Sequence, residues 1–400
     1  MEHQTKDSVG TSRIVALYTN IGRGHPSYLD SLLSLLKQKY PDLVSTTVFD
    51  ESRGFSLFCW KSVSWLYSIS GKGGIQTRFY NLVRRRSQGG SQDSLFLRIL
   101  RRDLRRSFRG FEGVCLVEHP IVARALADVC RVWYVHGEIA APAECAVKGV
   151  EKILVPLEET KEKLVSLGAD EKSVLVCGLM IEPGLVDGAE EAFRRRLERI
   201  KSGRPLTVGF FTSGAYPKEH MEKIILGVRS VLESKMKAVV FCGTNLDKYK
   251  WIKAQLKDVS AQVVEDIKDD SPENDQFDLK LVTRATRQED TQRAVELIPD
   301  LDAFVAASHE RTNYAVGLGL PMFVLFPLIG TFATQNFEFA QRQGVVSSLH
   351  SLMEAKELGK TLSDLRQSGK LLRMAEKGFG LFEISGVQVA TSRFTAMRDF

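Results

Sequence analysis

An α/β chain of two doubly wound, Rossmann-like domains is the architecture to expect from this sequence, on three grounds. Ile14–Thr19 is an apolar strand followed by Gly22–Arg23–Gly24–His25 and a helix starting near Pro26 and Ser27. About 190 residues later Leu206–Phe211 repeats the pattern, with Thr212–Ser213–Gly214 and a helix from about Pro217. Between and beyond them short apolar runs alternate with helical spacing, the signature of parallel sheets with right-handed crossovers. Glycine turns let backbone approach a ligand, and helix starts offer N–H groups to an anion.

The elements follow in order. The first helix carries Leu29, Leu32, Leu33, Leu35 and Leu36 and ends before Pro41; Val44–Phe49 reads as the second strand. Phe55–Val83 is aromatic-rich, and from Ser94 Leu95, Phe96, Ile99, Leu100, Leu104 and Phe108 fall on one helical stripe, with arginines between them. Strands are expected at 113–117, 132–135, 152–156 and 174–177. Pro183–Gly184 marks the junction, and an arginine-rich helix covers 190–200. The second domain has expected strands at 206–211, 238–242, 279–283, 302–306 and 322–326, and helices at about 217–233, 246–257, 289–298, 311–318 and 334–343. Glu265–Asp278 reads as a solvated acidic insertion. The divisions are therefore 1–182 and 183–375, with 376–400 a separate C-terminal helical segment.

Four hundred residues suit two domains, and 44% hydrophobic with 26% charged residues is a globular composition. Met1–Thr11 is too polar for a secretory signal, and no run reaches the ~18 apolar residues of a membrane span. The six cysteines are scattered without a C-x-x-C pair, which suits buried thiols in a reducing cytoplasm and argues against structural zinc. The net charge is +6, yet Arg84–Arg109 alone holds nine arginines against Asp93 and Asp103. Basicity so concentrated points to a local partner. Arg98, Arg101, Arg102, Arg105 and Arg106 beside an apolar stripe and many aromatics favour an anionic membrane surface over a solvated core helix. No nucleic-acid motif accompanies them.

Chemistry is expected at strand ends, since ligands of such sheets bind beyond the carboxyl edge. His25, behind Gly22 and Gly24, is placed to take a proton from a hydroxyl, the positive helix end favouring its neutral ring; the same position suits a helix-capping histidine. Ser27 stands where a dinucleotide fingerprint needs its third glycine, so a nicotinamide enzyme with Asp50 on the ribose is a minor alternative. Glu118–His119 and His136–Gly137–Glu138 end two strands; without a clear third ligand they suit substrate hydrogen bonding or local structure better than metal. Ser308–Asn313, with Ser308 and Thr312 among its residues, opens a helix where free N–H groups and Arg311 could meet a diphosphate, or it forms an ordinary N-cap with a solvated charge pair. Gln335 and Asn336 could reach a sugar or cap the last helix.

Together these residues resemble the GT-B glycosyltransferases, in the branch of monogalactosyldiacylglycerol synthases, diacylglycerol glucosyltransferases and the peptidoglycan N-acetylglucosaminyltransferase. The likeness spans about residues 12–345. It rests on Gly22–Arg23–Gly24–His25, Glu118–His119–Pro120, Leu154–Val155–Pro156, Val176–Cys177–Gly178–Leu179, Phe241–Cys242–Gly243–Thr244–Asn245 and Gly317–Leu318–Gly319–Leu320–Pro321. The resemblance implies an inverting transferase that moves a sugar from a nucleotide sugar, usually a UDP-sugar, to a lipid or amphipathic hydroxyl. His25 would be its general base, and no tightly bound cofactor is implied. Ser213, Gly214, Gly243, Thr244, Ser308, Arg311, Thr312 and Asn313 would hold the donor, and the basic segment within 55–109 would sit on the inner face of the membrane. Tyr314 stands where the family has its ribose-binding glutamate, and the family's sugar-contacting pair has no clear match near Thr331–Gln335. A nucleotide-sugar 2-epimerase or a non-catalytic membrane-surface protein on the same fold are the alternatives.

Overall fold

The computed structural model describes residues 13–19, 24–70, 95–267 and 276–398. The chain divides into two units, Met1–Ile181 with Ser385–Phe400, and Glu182–Ile384. Gly22 and Arg84–Arg86 of the sequence argument lie outside the described residues.

The first unit is built on β1 (Ile14–Tyr18), α1 (Gly24–Lys39), β2 (Val44–Thr47), α2 (Gly54–Ser70), α3 (Leu95–Ser107), β3 (Val114–Val117), α4 (Pro120–Leu126), β4 (Arg131–Val135), β5 (Lys152–Val155), α5 (Glu158–Ser166) and β6 (Val174–Val176). All strand pairs are parallel, in the order β2-β1-β3-β4-β5-β6, with Leu17 opposite Thr46 on one side and Val117 on the other. Strands buried on both faces need continuous apolar runs, which is why Ile14–Leu17 and Val114–Val117 show no alternation. Leu29, Leu32, Leu33 and Leu36 of α1 recur at helical spacing and close over Ile14, Ala16 and Leu116.

The helix Gly386–Arg398 completes that layer. Val387, Ala390 and Phe394 are buried against the first sheet, and the Phe394 ring meets Trp133 edge-on at 4.8 Å. The sequence-based division set 376–400 apart as its own segment; the structure instead returns 385–400 to the first unit, because the apolar face of this helix is covered by residues far earlier in the chain, Trp133 and the leucines of α1 among them.

The second unit contains α6 (Pro183–Val186), α7 (Ala189–Lys201), β7 (Thr207–Phe211), α8 (Lys218–Glu233), β8 (Lys237–Phe241), α9 (Leu246–Gln255), β9 (Val263–Asp266), β10 (Leu279–Val282), α10 (Arg287–Leu297), β11 (Ala303–Ala306), α11 (Thr312–Gly317), β12 (Met322–Leu325), α12 (Gly330–Gln343) and β13 (Val346–Leu349), followed by three helices between Leu352 and Gly378. Its seven parallel strands run β13-β12-β11-β7-β8-β10-β9. Local signals set the helix starts: Asn245 accepts from the Asp247 and Lys248 N–H groups at 3.1 Å, and Thr286 with Glu289 forms a capping box.

Two expectations change. β9 occupies the start of the supposedly solvated acidic stretch, and Asp266 is buried between Arg284 at 2.6 Å and Arg293 at 2.7 Å. A buried carboxylate needs such pairing. The arginine-rich helix α7 is partly built into the core. Arg196 is 1% exposed and donates to the carbonyls of Leu301 and Leu318, with burial lowering its pKa to about 10. Finally, the apolar stripe of α3 is not available to a membrane: Leu100, Leu104 and Phe108 are fully buried in the protein. The Ser56 hydroxyl and the Trp60 indole both donate to the Leu100 carbonyl at 3.3 Å, fastening α2 to α3. Of the five arginines, Arg105 pairs with Asp128 at 2.9 Å and Arg101 is half-buried, while Arg98, Arg102 and Arg106 are exposed. Among the described residues no helix is long and apolar enough to cross a membrane.

Candidate functional site

Chemistry-bearing residues lie beside a point of strand-order reversal in each sheet, between β1 and β3 in the first and between β7 and β11 in the second. In the first unit β1 is followed by β2 on one side and β3 on the other. The loops leaving β1 and β3 therefore diverge and leave a crevice at their carboxyl ends. Thr19, just past β1, donates from its N–H at 2.8 Å and its hydroxyl at 2.7 Å to one carboxylate oxygen of Glu118, just past β3. Glu118 is fully buried, so two donors on one oxygen fix the carboxyl across the crevice.

His25 lies in the first turn of α1 and His119 is the N-cap of α4. Their rings meet edge to face at 5.5 Å, and both are nearly buried. His119 Nδ1 accepts from the Ile121 N–H at 3.2 Å, so in a neutral ring the proton sits on Nε2. Two contacts seat α1 beneath this pair. The Tyr18 hydroxyl donates to Asp30 at 2.7 Å, and the Tyr28 ring lies against Gly137, where a Cβ would come within 2.4 Å of the ring. Gly137 must stay side-chain-free for His25 to keep its place.

His136 is differently employed. Its Nε2 donates to the Ala140 carbonyl at 2.9 Å and its Nδ1 accepts from the Tyr134 hydroxyl at 3.0 Å. Complete burial lowers its pKa to about 4, so it is a neutral brace for the loop after β4. Glu138 is buried in the same loop, while Gly24 opens α1.

In the second unit the reversal falls between β7 and β11. The Arg311 guanidinium, past β11, stacks 4.5 Å over the Phe211 ring at the end of β7, spanning the two strand ends. Burial opposes its charge, but the neighbouring Glu310, Tyr314, Asp290 and Glu182 more than offset this and hold the guanidinium cationic. Arg311 also pairs with Glu310. Ser213 Oγ in the loop after β7, and Arg311 Nε and Thr312 Oγ1 after β11, are buried polar atoms without a hydrogen-bond partner among the described residues. Buried polar groups left unmatched are costly.

Three N–H groups at this helix start are already bonded: those of Thr312, Asn313 and Tyr314 donate to the carbonyls of His309, Glu310 and Arg311. Ser308 and Asn336 are committed to one another's loops. The Ser308 hydroxyl donates to the Ala333 carbonyl at 2.7 Å, and Asn336 Nδ2 to the Ser308 carbonyl at 3.3 Å. Gln335 is half-buried on the same helix. Gly243 adopts φ +74°, and its carbonyl accepts the Thr283 hydroxyl at 2.6 Å, shaping the β8 loop that carries Thr244; Gly214 is exposed in the β7 loop. Local reasoning did not assign Thr19, Phe211 or Glu182 to a site.

No family model matches the chain, and no curated protein matches it in sequence. Solved structures do. The UDP-GlcNAc 2-epimerase of Neisseria meningitidis bound to UDP-GlcNAc is similar at a TM-score of 0.56 and 14% identity, covering 96% of this chain and 99% of its own. MnaA of S. aureus with UDP gives 0.55 at 10% identity, covering 97% of each chain. MurG of Acinetobacter baumannii gives 0.53 at 13% identity, covering 96% of this chain and 100% of its own. The shared architecture is the GT-B-like one, two α/β units each on a parallel sheet.

Proposed function

We propose that the chain is a glycosyltransferase that moves a sugar from a nucleotide sugar, most simply a UDP-sugar, to a hydroxyl on a lipid or other amphipathic acceptor. The observation that carries this reading is the coincidence of one strand-order reversal in each sheet with the reactive residues: His25, Glu118 and His119 in one unit, Ser213, Arg311 and Thr312 in the other. His25 acts as general base on the acceptor hydroxyl, with Glu118 and His119 shaping its surroundings. Arg311 and the two hydroxyls face the donor diphosphate, while the Gly214, Gly243–Thr244 and Asn313 loops, with Gln335 and Asn336, frame nucleotide and sugar. The reaction forms the new glycosidic bond as the acceptor proton passes to His25 and the nucleoside diphosphate leaves.

A second reading is favoured by two of the similar structures, which are UDP-sugar 2-epimerases or bind UDP. The two readings separate by experiment. Calorimetry with UDP and a panel of UDP-sugars tests donor binding, and mass spectrometry with and without a lipid alcohol tests the chemistry. A transferase makes glycolipid and free UDP only when the alcohol is present. An epimerase interconverts the donor sugar alone, and failure to bind any nucleotide sugar would remove both.

A further inference from the structure

We propose that His119 is the positioning residue for His25: its ring is the wall that holds the His25 imidazole in place, and its own ring is fixed by capping α4. The inference rests on the reading above in taking His25 as the base. It concerns the pairing of two rings within one unit, so it can fail while that reading stands.

Two consecutive residues at the carboxyl end of β3 hold the two ends of the segment that joins β1 to α1. Glu118 takes Thr19, the residue that leaves β1, through two hydrogen bonds to one oxygen. His119 meets His25, in the first turn of α1, at 5.5 Å between ring centroids and 72° between ring planes. The end of one strand thus sets both where that segment departs and where it lands. Tyr18 on Asp30 and Tyr28 on Gly137 seat α1 as a helix. The contact with His119 acts on the His25 side chain itself. A base must lie within about 2.6–3.2 Å of the proton it takes, so the orientation of its ring bears directly on rate.

His119 is itself held. Its backbone is extended, with φ −124° and ψ 132°, and its Nδ1 accepts from the Ile121 N–H at 3.2 Å. Pro120 occupies the first position of α4, where no N–H is required. Turning the His119 ring would strip the Ile121 N–H of its acceptor, so the cap fixes the ring as well as the helix. The same bond decides what His119 can do. With Nδ1 accepting and the proton on Nε2, a neutral ring has no lone pair left to receive a proton from a hydroxyl. His119 is therefore not a second base. It presents a rigid ring to the one histidine of the pair that takes the proton.

Two substitutions in the full chain separate the ring from the cap. His119→Asn keeps a cap, since asparagine is among the best N-cap residues, and loses the ring. His119→Phe keeps a ring and loses the cap. Modification by diethyl pyrocarbonate, read at the His25 peptide by mass spectrometry, needs no substrate. His25 is 8% exposed in the parent; it reacts severalfold faster in His119→Asn, and His119→Phe restores its protection. Turnover of UDP-glucose over dispersed diacylglycerol follows the same order. In His119→Asn kcat falls about 10–100-fold while acceptor KM and UDP affinity stay within about twofold of the parent, and His119→Phe recovers most of the rate. Melting temperature runs the other way: the Asn variant stays near the parent and the Phe variant melts about 2–4 °C lower. Parent-like modification of His25 in His119→Asn overturns the proposal, and that variant decides it alone if the Phe variant does not fold. So does a loss of rate only where the melting temperature also falls, because His119 would then act solely through α4. Near-normal turnover in His25→Ala fails the base reading instead, and is told apart because the modification rates do not depend on turnover.

Discussion

The Tyr314 hydroxyl lies 2.9 Å from each carboxylate oxygen of Glu182 and donates to that carboxylate, joining α11 to the residue that opens α6. Burial raises the pKa of both groups, and for Glu182 the tyrosine hydrogen bond and Arg311 pull the other way. Glu182 thus brings a second carboxylate to act on Arg311, whose sequence neighbour Glu310 supplies the first.

Tyr314→Phe removes the donor and leaves Glu182 buried with less support. A loss of about 1–3 kcal/mol is expected from the unmatched carboxylate. The pH dependence has a definite sign. A raised folded pKa means that the folded chain binds the proton more readily, so stability falls as pH rises from the ordinary glutamate value through the raised one. The variant raises that pKa further and should lose more stability than the parent as pH rises above the ordinary glutamate value in urea titrations. Parallel curves would show that the hydroxyl does not support the charge.

His25→Ala should lower transfer by about 10²–10⁴-fold while UDP affinity stays near the parent value. Single-turnover assays with calorimetry on the same preparation decide it. A near-normal rate in the variant takes His25 out of the chemistry.

Arg311→Ala should weaken UDP binding by about 1.5–3 kcal/mol, the worth of a charge-assisted hydrogen bond. Because Glu310 already pairs with Arg311, an incoming diphosphate competes with it. Glu310→Gln should therefore bind UDP more tightly than the parent. Equal affinities for all three proteins would place the diphosphate elsewhere.

His136 carries a different pH signature. Its folded pKa of about 4 lies below its ordinary 6.5, so between these values the unfolded chain binds more protons and stability falls as acid is added. The drop reaches up to about 3 kcal/mol for a shift of this size. His136→Gln should show a shallower decline between pH 6.5 and 4. It should not be flat, because burial also lowers His220 to about 4. An unchanged decline would mean that the ring is protonated in the folded state.

The strands and most helices were legible because their signals are local: apolar runs, glycine loops, caps and helical spacing. His25, Glu118 and His119 were legible for the same reason, as each follows a strand end. The covering of a face is not a local property. Nothing near Leu100 and Leu104 says that α2 and the first unit's core bury them, so amphipathic spacing alone suggested a membrane stripe. Asp266 looked solvated because its cations, Arg284 and Arg293, come later in the chain. Glu182 and Tyr314 are 132 residues apart, with no spacing rule to join them. Sequence made Ser308 a ligand candidate, but its hydroxyl is spent on Ala333.

The return of Gly386–Arg398 to the first sheet sets an order of assembly on the ribosome. The second unit is one unbroken run, Glu182–Ile384, and can close before the first is whole. At about 5–20 residues per second, the first sheet waits on the order of ten to forty seconds after its last strand is made before Phe394 arrives to cover Trp133. During that interval the earlier-made unit is the less finished one, and its open apolar layer is the surface that a chaperone would have to shield.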